Sequence, residues 1–389
     1  MDAQWPTGSG VLLHKIRRNP GIARARLVQE LGWARATVGK RLEELLTCGL
    51  IEITGQHEST GGRRAEAFSI NPARGVVLAA DIGSSHSRLA IADMAGDILI
   101  DDEADILIDS GPEEFFEWAE QVFAFMLERI GRTPREVLAV GIGVPDPVDP
   151  TTGILHSPAS RTAWTRIPLA DYVRSVYPTA VVAIERDANL LAIVERRLGW
   201  PEATNLALVK FSSGLGSGLV VRGKLYHGSK GTAGNIGSVL RRSPRGSVAP
   251  LDTFASGWSI QAQLESYGYN VRTSADIVAL ANSGDEAAQS LITTAARALA
   301  EASLDLVKIV SPEVLIVSGT FAETGNLVLS PFQDVFTTAQ EDLPGGPPEI
   351  ALARIGRAAG VRGAALTGLD RYFDADRISA LTAHGLPPT

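Results

Sequence analysis

The chain has 389 residues, 45% of them hydrophobic and 21% charged, which is typical of a folded protein with two or three domains. Its single cysteine excludes an intrachain disulfide framework and a cysteine-built zinc site. No apolar run reaches about 18 residues, and the opening MDAQWPTGSG lacks a basic stretch followed by an apolar core, so we expect a cytoplasmic protein without membrane span or signal peptide.

Charge is distributed unequally along the chain. The net charge is −8, which by itself disfavours nucleic acid as a partner. However, residues 1–72 hold ten Lys and Arg against seven Asp and Glu, whereas residues 73–389 hold 26 against 37. A basic segment before an acidic remainder predicts a DNA-facing head, residues 1–72, on a larger body, residues 73–389.

Three helices are predicted in the head, over residues 9–19, 22–31 and 34–47. Pro20-Gly21 ends the first helix and Gly32 ends the second. Two short helices joined by a glycine-containing turn are typical of the helix-turn-helix, whose second helix enters the major groove of DNA.

The third predicted helix carries the candidates for reading DNA. Its apolar residues Val38, Leu42 and Leu45 share one face. Basic and hydroxyl side chains near its start suit contacts with base edges and phosphates. The residues expected to make these contacts are Arg35, Thr37, Lys40 and Arg41.

A β-hairpin is predicted after the third helix, with strands near residues 51–53 and 67–70. The segment between them contains a glycine pair followed by Arg63 and Arg64. Arginines at the tip of such a wing can contact phosphates or enter a narrow minor groove. A winged helix-turn-helix is therefore predicted, and the alternative is a three-helix protein-interaction domain with a solvated charged face.

The body repeats one layout, a strand, a glycine turn and a second strand, over residues 76–92 and 206–221. Backbone amides in such turns can approach phosphate, while the carboxylate of an Asp-x-Gly faces a metal or water. Further buried strands are predicted over residues 137–144, 180–185 and 313–319, which favours two α/β lobes around a cleft. The residues assigned to the two phosphate turns are Asp81, Gly83, Ser85, Ser213, Gly214 and Gly216.

Over nearly its whole length the chain resembles the ROK family (repressors, open reading frames and kinases). The glycine-pair wing resembles that of ROK repressors, and DIGSSHSRLAIA resembles the first phosphate motif. ERDANLLAIVERRLG resembles the segment with the catalytic aspartate, and SSGLGSGLVVRGKLYHGSKGTAGNIGS resembles the second phosphate motif and the family signature. The resemblance implies an α/β protein: a winged helix-turn-helix followed by a two-lobed, actin-like (ribonuclease-H-like ATPase-type) ROK domain.

The departures from the ROK pattern lie in the sugar site. By the resemblance, Asp187 stands where a kinase has its general base, and Arg186 replaces an asparagine. Asn235 and Ser238 replace a sugar-contacting glutamate and a histidine that also binds zinc, and the zinc-binding cysteines are missing from residues 241–252. The positions expected to face an effector are Ser160, Arg186, Asp187, Asn235, Ser238 and Asp252.

Without several charge-assisted contacts to sugar hydroxyls, each worth about 1.5–3 kcal/mol, the body is not expected to be a kinase. Asp187 is then a vestigial base, and no catalytic residue, cofactor or metal is expected. The leading hypothesis is a sequence-specific DNA-binding transcriptional regulator, a repressor. It is a homodimer or tetramer on a palindromic operator, and its body binds a carbohydrate-like effector.

Two other functions and one refinement stay open at this point. The chain could be an active ATP-dependent sugar kinase with a DNA-binding head, or a DNA binder whose body only dimerises. As a refinement, Arg186 together with Arg161, Arg241, Arg242 and Arg245 suggests an anionic effector such as a sugar phosphate. The rival interpretation pairs Arg186 with an acidic neighbour.

Overall fold

Three helices and a small antiparallel sheet form the amino-terminal head. The computed structural model describes residues 8–57, 65–84, 86–104, 106, 108–150, 152–156, 162–165 and 168–384. The helices are α1 (Ser9–Arg18), α2 (Arg24–Leu31) and α3 (Arg35–Thr47), and the strands are β1 (Ile22–Ala23), β2 (Ile51–His57) and β3 (Ala65–Ile70). The predicted winged helix-turn-helix is confirmed, while the predicted wing-tip residues Arg63 and Arg64 lie outside the described residues.

The second helix begins two residues later than predicted. Ile22 and Ala23 pair with Phe68 and Ala67 of β3 as a short strand instead. Ile22 is buried there, so its apolar side chain is placed by the sheet rather than by the helix stripe. The helix ends as expected at Gly32, whose φ of 66° is a left-handed conformation that glycine adopts without strain.

The first lobe of the body is a five-stranded sheet covered by helices. Its elements are β4 (Val76–Ile82), β5 (Ser87–Asp93), β6 (Ile98–Ala104), α4 (Pro112–Arg129), β7 (Val137–Val144), α5 (Thr162–Thr165), α6 (Leu169–Val176) and β8 (Val181–Arg186), followed by the helix α7 (Asp187–Val194). The strand order is β6-β5-β4-β7-β8. The hairpin β4–β5 is antiparallel, and β7 runs parallel to β4, with Leu78 opposite Val140.

The second lobe repeats this arrangement. Its elements are β9 (Leu206–Phe211), β10 (Leu215–Val221), β11 (Lys224–Leu225), β12 (Leu240–Arg242), β13 (Val248–Pro250), α8 (Asp252–Ala255), α9 (Gly257–Ser266), α10 (Ser274–Asn282), α11 (Glu286–Val310), β14 (Val314–Ser318), α12 (Asn326–Thr338) and β15 (Glu349–Leu352). The main sheet has the order β11-β10-β9-β14-β15, so the predicted two lobes are confirmed. No helix in the described ranges has the length and apolar character to cross a membrane.

Two helices link the lobes. α7 packs on β10 of the second lobe, where an added Cβ at Gly218 would lie 2.4 Å from the Ala188 carbonyl oxygen. It also crosses α13 (Ala359–Tyr372), where an added Cβ at Gly363 would lie 2.5 Å from the Leu190 oxygen. These small residues let the backbones approach closely. The sequence predicts one continuous helix after Asn189, but the α-helix ends at Val194 and Glu195–Gly199 forms a π-helix.

The head shares its apolar core with the first lobe. Leu12 and Ile16 of α1 lie in one buried cluster with Phe373 and with Ile378 of the last helix, α14 (Ala375–His384). The Gly10 amide of α1 donates to the Ser379 hydroxyl of α14 at 3.3 Å. The two ends of the described chain are thus packed together.

One carboxylate joins the head to α7. Asp370 of α13 accepts from Arg17 of the head at 2.6 Å and also pairs with Arg197, just beyond α7. The Arg17 guanidinium additionally lies over the Phe373 ring, 5.2 Å from its centroid. The head is therefore fixed to the helices that border the cleft.

Candidate nucleic-acid interface and inter-lobe cleft

The outer face of α3 is the candidate DNA-reading surface. Val38, Leu42 and Leu45 are fully buried, as predicted. The opposite side of the helix is exposed. It carries Ala36, Lys40 and Glu43, which are four and three residues apart and so lie on one line, and Arg35 is exposed at the helix start. Two of the predicted readers, Arg35 and Lys40, therefore point outward.

The other two predicted readers lie on the flank of α3. Thr37 and Arg41 are half-buried, and the Arg41 guanidinium donates to the Glu44 carboxylate at 2.9 Å. Glu44 also accepts from the Ser9 hydroxyl at 2.6 Å. Burial opposes ionisation of Glu44, yet the hydrogen bonds from Ser9 and Arg41 hold its pKa below the ordinary value. Glu44 thus links α3 to α1 through Ser9, and the same carboxylate binds the Arg41 guanidinium, which lies on the flank of α3 rather than on its outward line.

A groove of about 560 Å³ lies between α3 and the wing strands. Three cations line it, Arg24, Arg35 and Lys40, and Arg24 pairs with Glu66 of β3 at 3.1 Å. The remaining lining residues are Ala36, Gly39, Glu43, Leu46 and Ile53. Sequence reasoning missed Arg24, Ala36 and Glu43, although extending the helical spacing from Lys40 identifies the last two.

In the cleft, the Lys210 ammonium forms an ion pair with the Asp187 carboxylate. Asp187 is the first residue of α7, and Lys210 lies near the end of β9. One Asp187 oxygen pairs with the Lys210 ammonium, and the other accepts from the Ala188 amide at 2.5 Å. Burial works to lower the pKa of Lys210, but the adjacent Asp187 charge raises it overall, so the ammonium stays protonated. Lys210 was not singled out from the sequence, because nothing in its spacing links it to Asp187.

Asp81 lies near the end of β4, beside this pair. An added Cβ at Gly360, near the start of α13, would lie 1.8 Å from one Asp81 oxygen, so only glycine leaves room for the carboxylate. Burial raises the pKa of Asp81, and repulsion from Asp187 raises it further. The two acids share the cleft, and the Lys210 ammonium supplies the positive charge between them.

The glycine turns of the two lobes are tight. An added Cβ at Gly83 would lie 2.1 Å from the His86 carbonyl oxygen, and Ser85 lies outside the described residues. In the second turn, the Ser213 and Ser274 hydroxyls are 3.2 Å apart, and Gly216 approaches α7. Gly214 lies beside Asp252, whose carboxylate would be 3.8 Å from an added Cβ.

The residues that replace the family's sugar contacts largely bind protein atoms. Asn235 donates to the Ser238 hydroxyl at 2.9 Å, and both residues are exposed. Asp252 accepts from the Leu215 amide at 2.8 Å, and burial raises the pKa of its carboxyl. Ser160 lies outside the described residues.

Arg186 does not form the predicted cluster for an anion. It is only 3% exposed, and its guanidinium donates to the Ser217 and Ala233 carbonyl oxygens, the latter at 2.9 Å. Arg241 instead pairs with Asp305, Arg242 binds the Gly246 oxygen, Arg245 is exposed, and Arg161 lies outside the described residues. The rival interpretation, an acidic partner, is not what the described hydrogen bonds show either, since one terminal guanidinium nitrogen donates to both backbone oxygens of the second lobe.

Glu185 and His227 form a second connection between the lobes. Glu185, on β8, accepts from Asn189 at 2.7 Å and lies 2.6 Å from Nε2 of His227, which follows β11 in the second lobe. The hydrogen bond to Glu185 raises the pKa of His227, although burial opposes it. Forty-two residues separate the two, so no sequence spacing could have indicated the pair.

The Glu185–His227 pair should make stability depend on pH. Because the folded-state pKa of His227 is raised above its ordinary 6.5, the pair's contribution is complete below pH 6.5 and disappears as the pH rises through the raised pKa. We expect the unfolding free energy of the parent, relative to His227→Gln, to fall as the pH rises above 6.5 and through the raised pKa of His227. Urea denaturation of both proteins across this range measures it, and a constant difference would contradict the pairing.

Comparison with known proteins places these features in context. A model of the ROK family matches residues 77–370. The chain is 25% identical to the xylose repressor of Caldicellulosiruptor bescii over 345 residues, 84% of this chain and 86% of that protein. It superposes on a ROK family transcriptional regulator, a homologue of the E. coli MLC protein, with a TM-score of 0.77 and 21% identity, covering 97% and 98% of the two chains. It also matches a ROK glucokinase of Streptomyces griseus in complex with glucose and AMPPNP, with a TM-score of 0.62 and 26% identity, covering 76% and 99%.

Proposed function

The chain belongs to the ROK family, and from that premise we propose that it is a DNA-binding transcriptional repressor. The observation that carries the proposal is the exposed face of α3, with Arg35 and Lys40 pointing outward beside a groove that Arg24 also lines. A cationic helix face next to a wing is the geometry that enters a major groove. Arg63 and Arg64, in the wing segment, would add phosphate contacts.

The body acts in this proposal as a sensor. The similarity to a xylose repressor points to a carbohydrate as the class of effector. Asp187, Asn235, Ser238 and Asp252 are the proposed effector contacts, because carboxylate, amide and hydroxyl groups suit sugar hydroxyls. Because the Arg186 guanidinium is already engaged with backbone oxygens, we favour a neutral sugar over a sugar phosphate.

We further propose that the body has no kinase activity. A general base must have a free lone pair within reach of the hydroxyl proton. The Lys210 ammonium and the Ala188 amide each bind one oxygen of Asp187, so a sugar hydroxyl would have to compete with the ammonium for that carboxylate.

A single head makes too few contacts for tight binding, so we propose a cytoplasmic homodimer or tetramer that places two heads on a palindromic operator. The test starts with the purified full-length protein and sheared DNA of its own genome. We expect it to retain fragments that share one inverted repeat. We expect a neutral pentose, hexose or N-acetylhexosamine, and not its phosphate ester, to release them.

The same preparation separates the enzyme alternative. In a coupled assay with Mg-ATP and the same sugars, we expect no turnover, while a ROK glucokinase run in parallel gives an ordinary rate of about 1–100 per second. Turnover at that scale, together with no enrichment of any fragment, would establish a sugar kinase and refute the repressor. If the protein enriches fragments but no sugar releases them, the chain is a DNA binder whose body serves only to join subunits.

A further inference from the structure

Glu43 is an exposed carboxylate on the outward line of α3. Of the four other acids in the described head, Glu30, Glu44 and Glu66 each bind a basic side chain, whereas Glu52 on β2 binds none that the structure describes. Glu43 makes no hydrogen bond or ion pair with any residue that the structure describes, although cations line the same groove. It is exposed and follows Lys40 by one helical turn.

An acidic side chain on such a surface lowers affinity for every DNA sequence. Phosphates dominate the attraction between protein and duplex, and a carboxylate facing them repels them. The repulsion is offset only where the carboxylate accepts a hydrogen bond from a base. In the major groove, the amino groups of cytosine and adenine are donors at the base edge, and cytosine N4 is the usual partner of a glutamate.

On the basis of the proposed function, we propose that Glu43 is the specificity-determining residue of the DNA interface. Its carboxylate accepts from an exocyclic amino group, cytosine N4 in the first place, and repels the carbonyl oxygens that guanine and thymine present there. Sequences without an amino group at that position are therefore rejected rather than merely bound less well.

The spacing along α3 suits contacts of Lys40 and Glu43 with neighbouring base pairs. Three residues of helix advance by about 4.5 Å, which lies between the rise of one base pair, roughly 3.4 Å, and that of two. Lys40 donates and Glu43 accepts, so together they would read an acceptor and a donor on neighbouring base pairs. Ala36, one turn before Lys40 on the same line, leaves space for the helix to approach the base edges.

The proposal is tested by comparing the base preference of the parent with that of Glu43→Ala and Glu43→Gln. The measurement is binding to the selected operator, to all its single-base-pair variants and to a random duplex, at several salt concentrations. We expect the alanine variant to lose about 10–100-fold discrimination at one position of each half-site and to bind random duplex about two- to fivefold more tightly. The glutamine variant should move the preference at that position towards adenine, with which an amide forms two hydrogen bonds.

A matched control removes the same charge elsewhere. Glu301 is exposed on α11 of the second lobe, and Glu301→Gln should leave both the base profile and the random-duplex affinity unchanged. An unchanged base profile in Glu43→Ala, with a parent that still selects one sequence, would overturn the role of Glu43 alone. A parent without any base preference would instead refute the repressor function. Adenine preference in the parent at the affected position would identify adenine N6 as the amino group read.

Discussion

Replacing both Arg35 and Lys40 by alanine should weaken operator binding by about 100-fold or more. Both side chains are exposed on or beside the outward line of α3, and neither has a role in the apolar core. A single base or phosphate interaction on such a surface is worth about 1–3 kcal/mol, so the double substitution removes about 2–6 kcal/mol of binding free energy, and 100-fold corresponds to about 2.7 kcal/mol. Fluorescence anisotropy with the selected operator measures the change in affinity, and the salt dependence of binding should become shallower.

The fold should not change in this double variant. Its melting temperature is expected to match that of the parent, because exposed helix positions outside caps and cores usually change stability by less than about 0.5 kcal/mol. Arg297→Ala with Lys308→Ala on α11 removes the same charge from the body and should bind the operator as the parent does. Equal weakening in both double variants would show that net charge, and not this face of α3, governs binding.

Alanine at Gly363 should destabilise the protein by about 2–3 kcal/mol. The added methyl group would lie 2.5 Å from the Leu190 carbonyl oxygen and 2.8 Å from the Leu190 Cβ, so α7 and α13 would have to separate. Backbone atoms cannot move aside as the end of a flexible side chain can. Urea denaturation measures the free energy of unfolding, and the transition midpoints from tryptophan fluorescence and from circular dichroism should agree.

Gly39 offers a matched control for the same substitution. It also lies inside a helix, α3, but an added Cβ would meet no atom within 4 Å. Gly39→Ala should therefore stabilise the protein by about 0.5–1 kcal/mol, because alanine is the better helix former. Destabilisation of similar size at both positions would mean that close packing of α7 and α13 is not the cause.

Much of the fold could be predicted from the sequence, because its signals are local. The apolar stripe of Val38, Leu42 and Leu45 and the stop at Gly32 depend only on neighbours a few residues away. The repeated strand–turn–strand layout likewise indicates two lobes. The error at Ile22 arose because pairing with Phe68, a distant contact, decided between strand and helix.

The chemistry of the cleft was harder to predict, because it depends on contacts between distant segments. Lys210 neutralises Asp187 from 23 residues away, and His227 meets Glu185 across 42. The residue pattern identifies which positions depart from the kinase motif. It could not indicate that the Arg186 guanidinium binds the Ser217 and Ala233 carbonyl oxygens, since backbone acceptors leave no trace in residue identity.

The packing of α1 against α14 has a practical consequence for experiments on fragments. A polypeptide cut after residue 72 would lack the surface against which Leu12 and Ile16 are buried, together with the carboxylate that holds Arg17. Conversely, trimming the last helix would damage DNA recognition without removing any group that touches DNA. Deletions at the carboxyl terminus would then have the same effect as mutations in the head. DNA binding and effector binding should therefore be measured on the intact polypeptide.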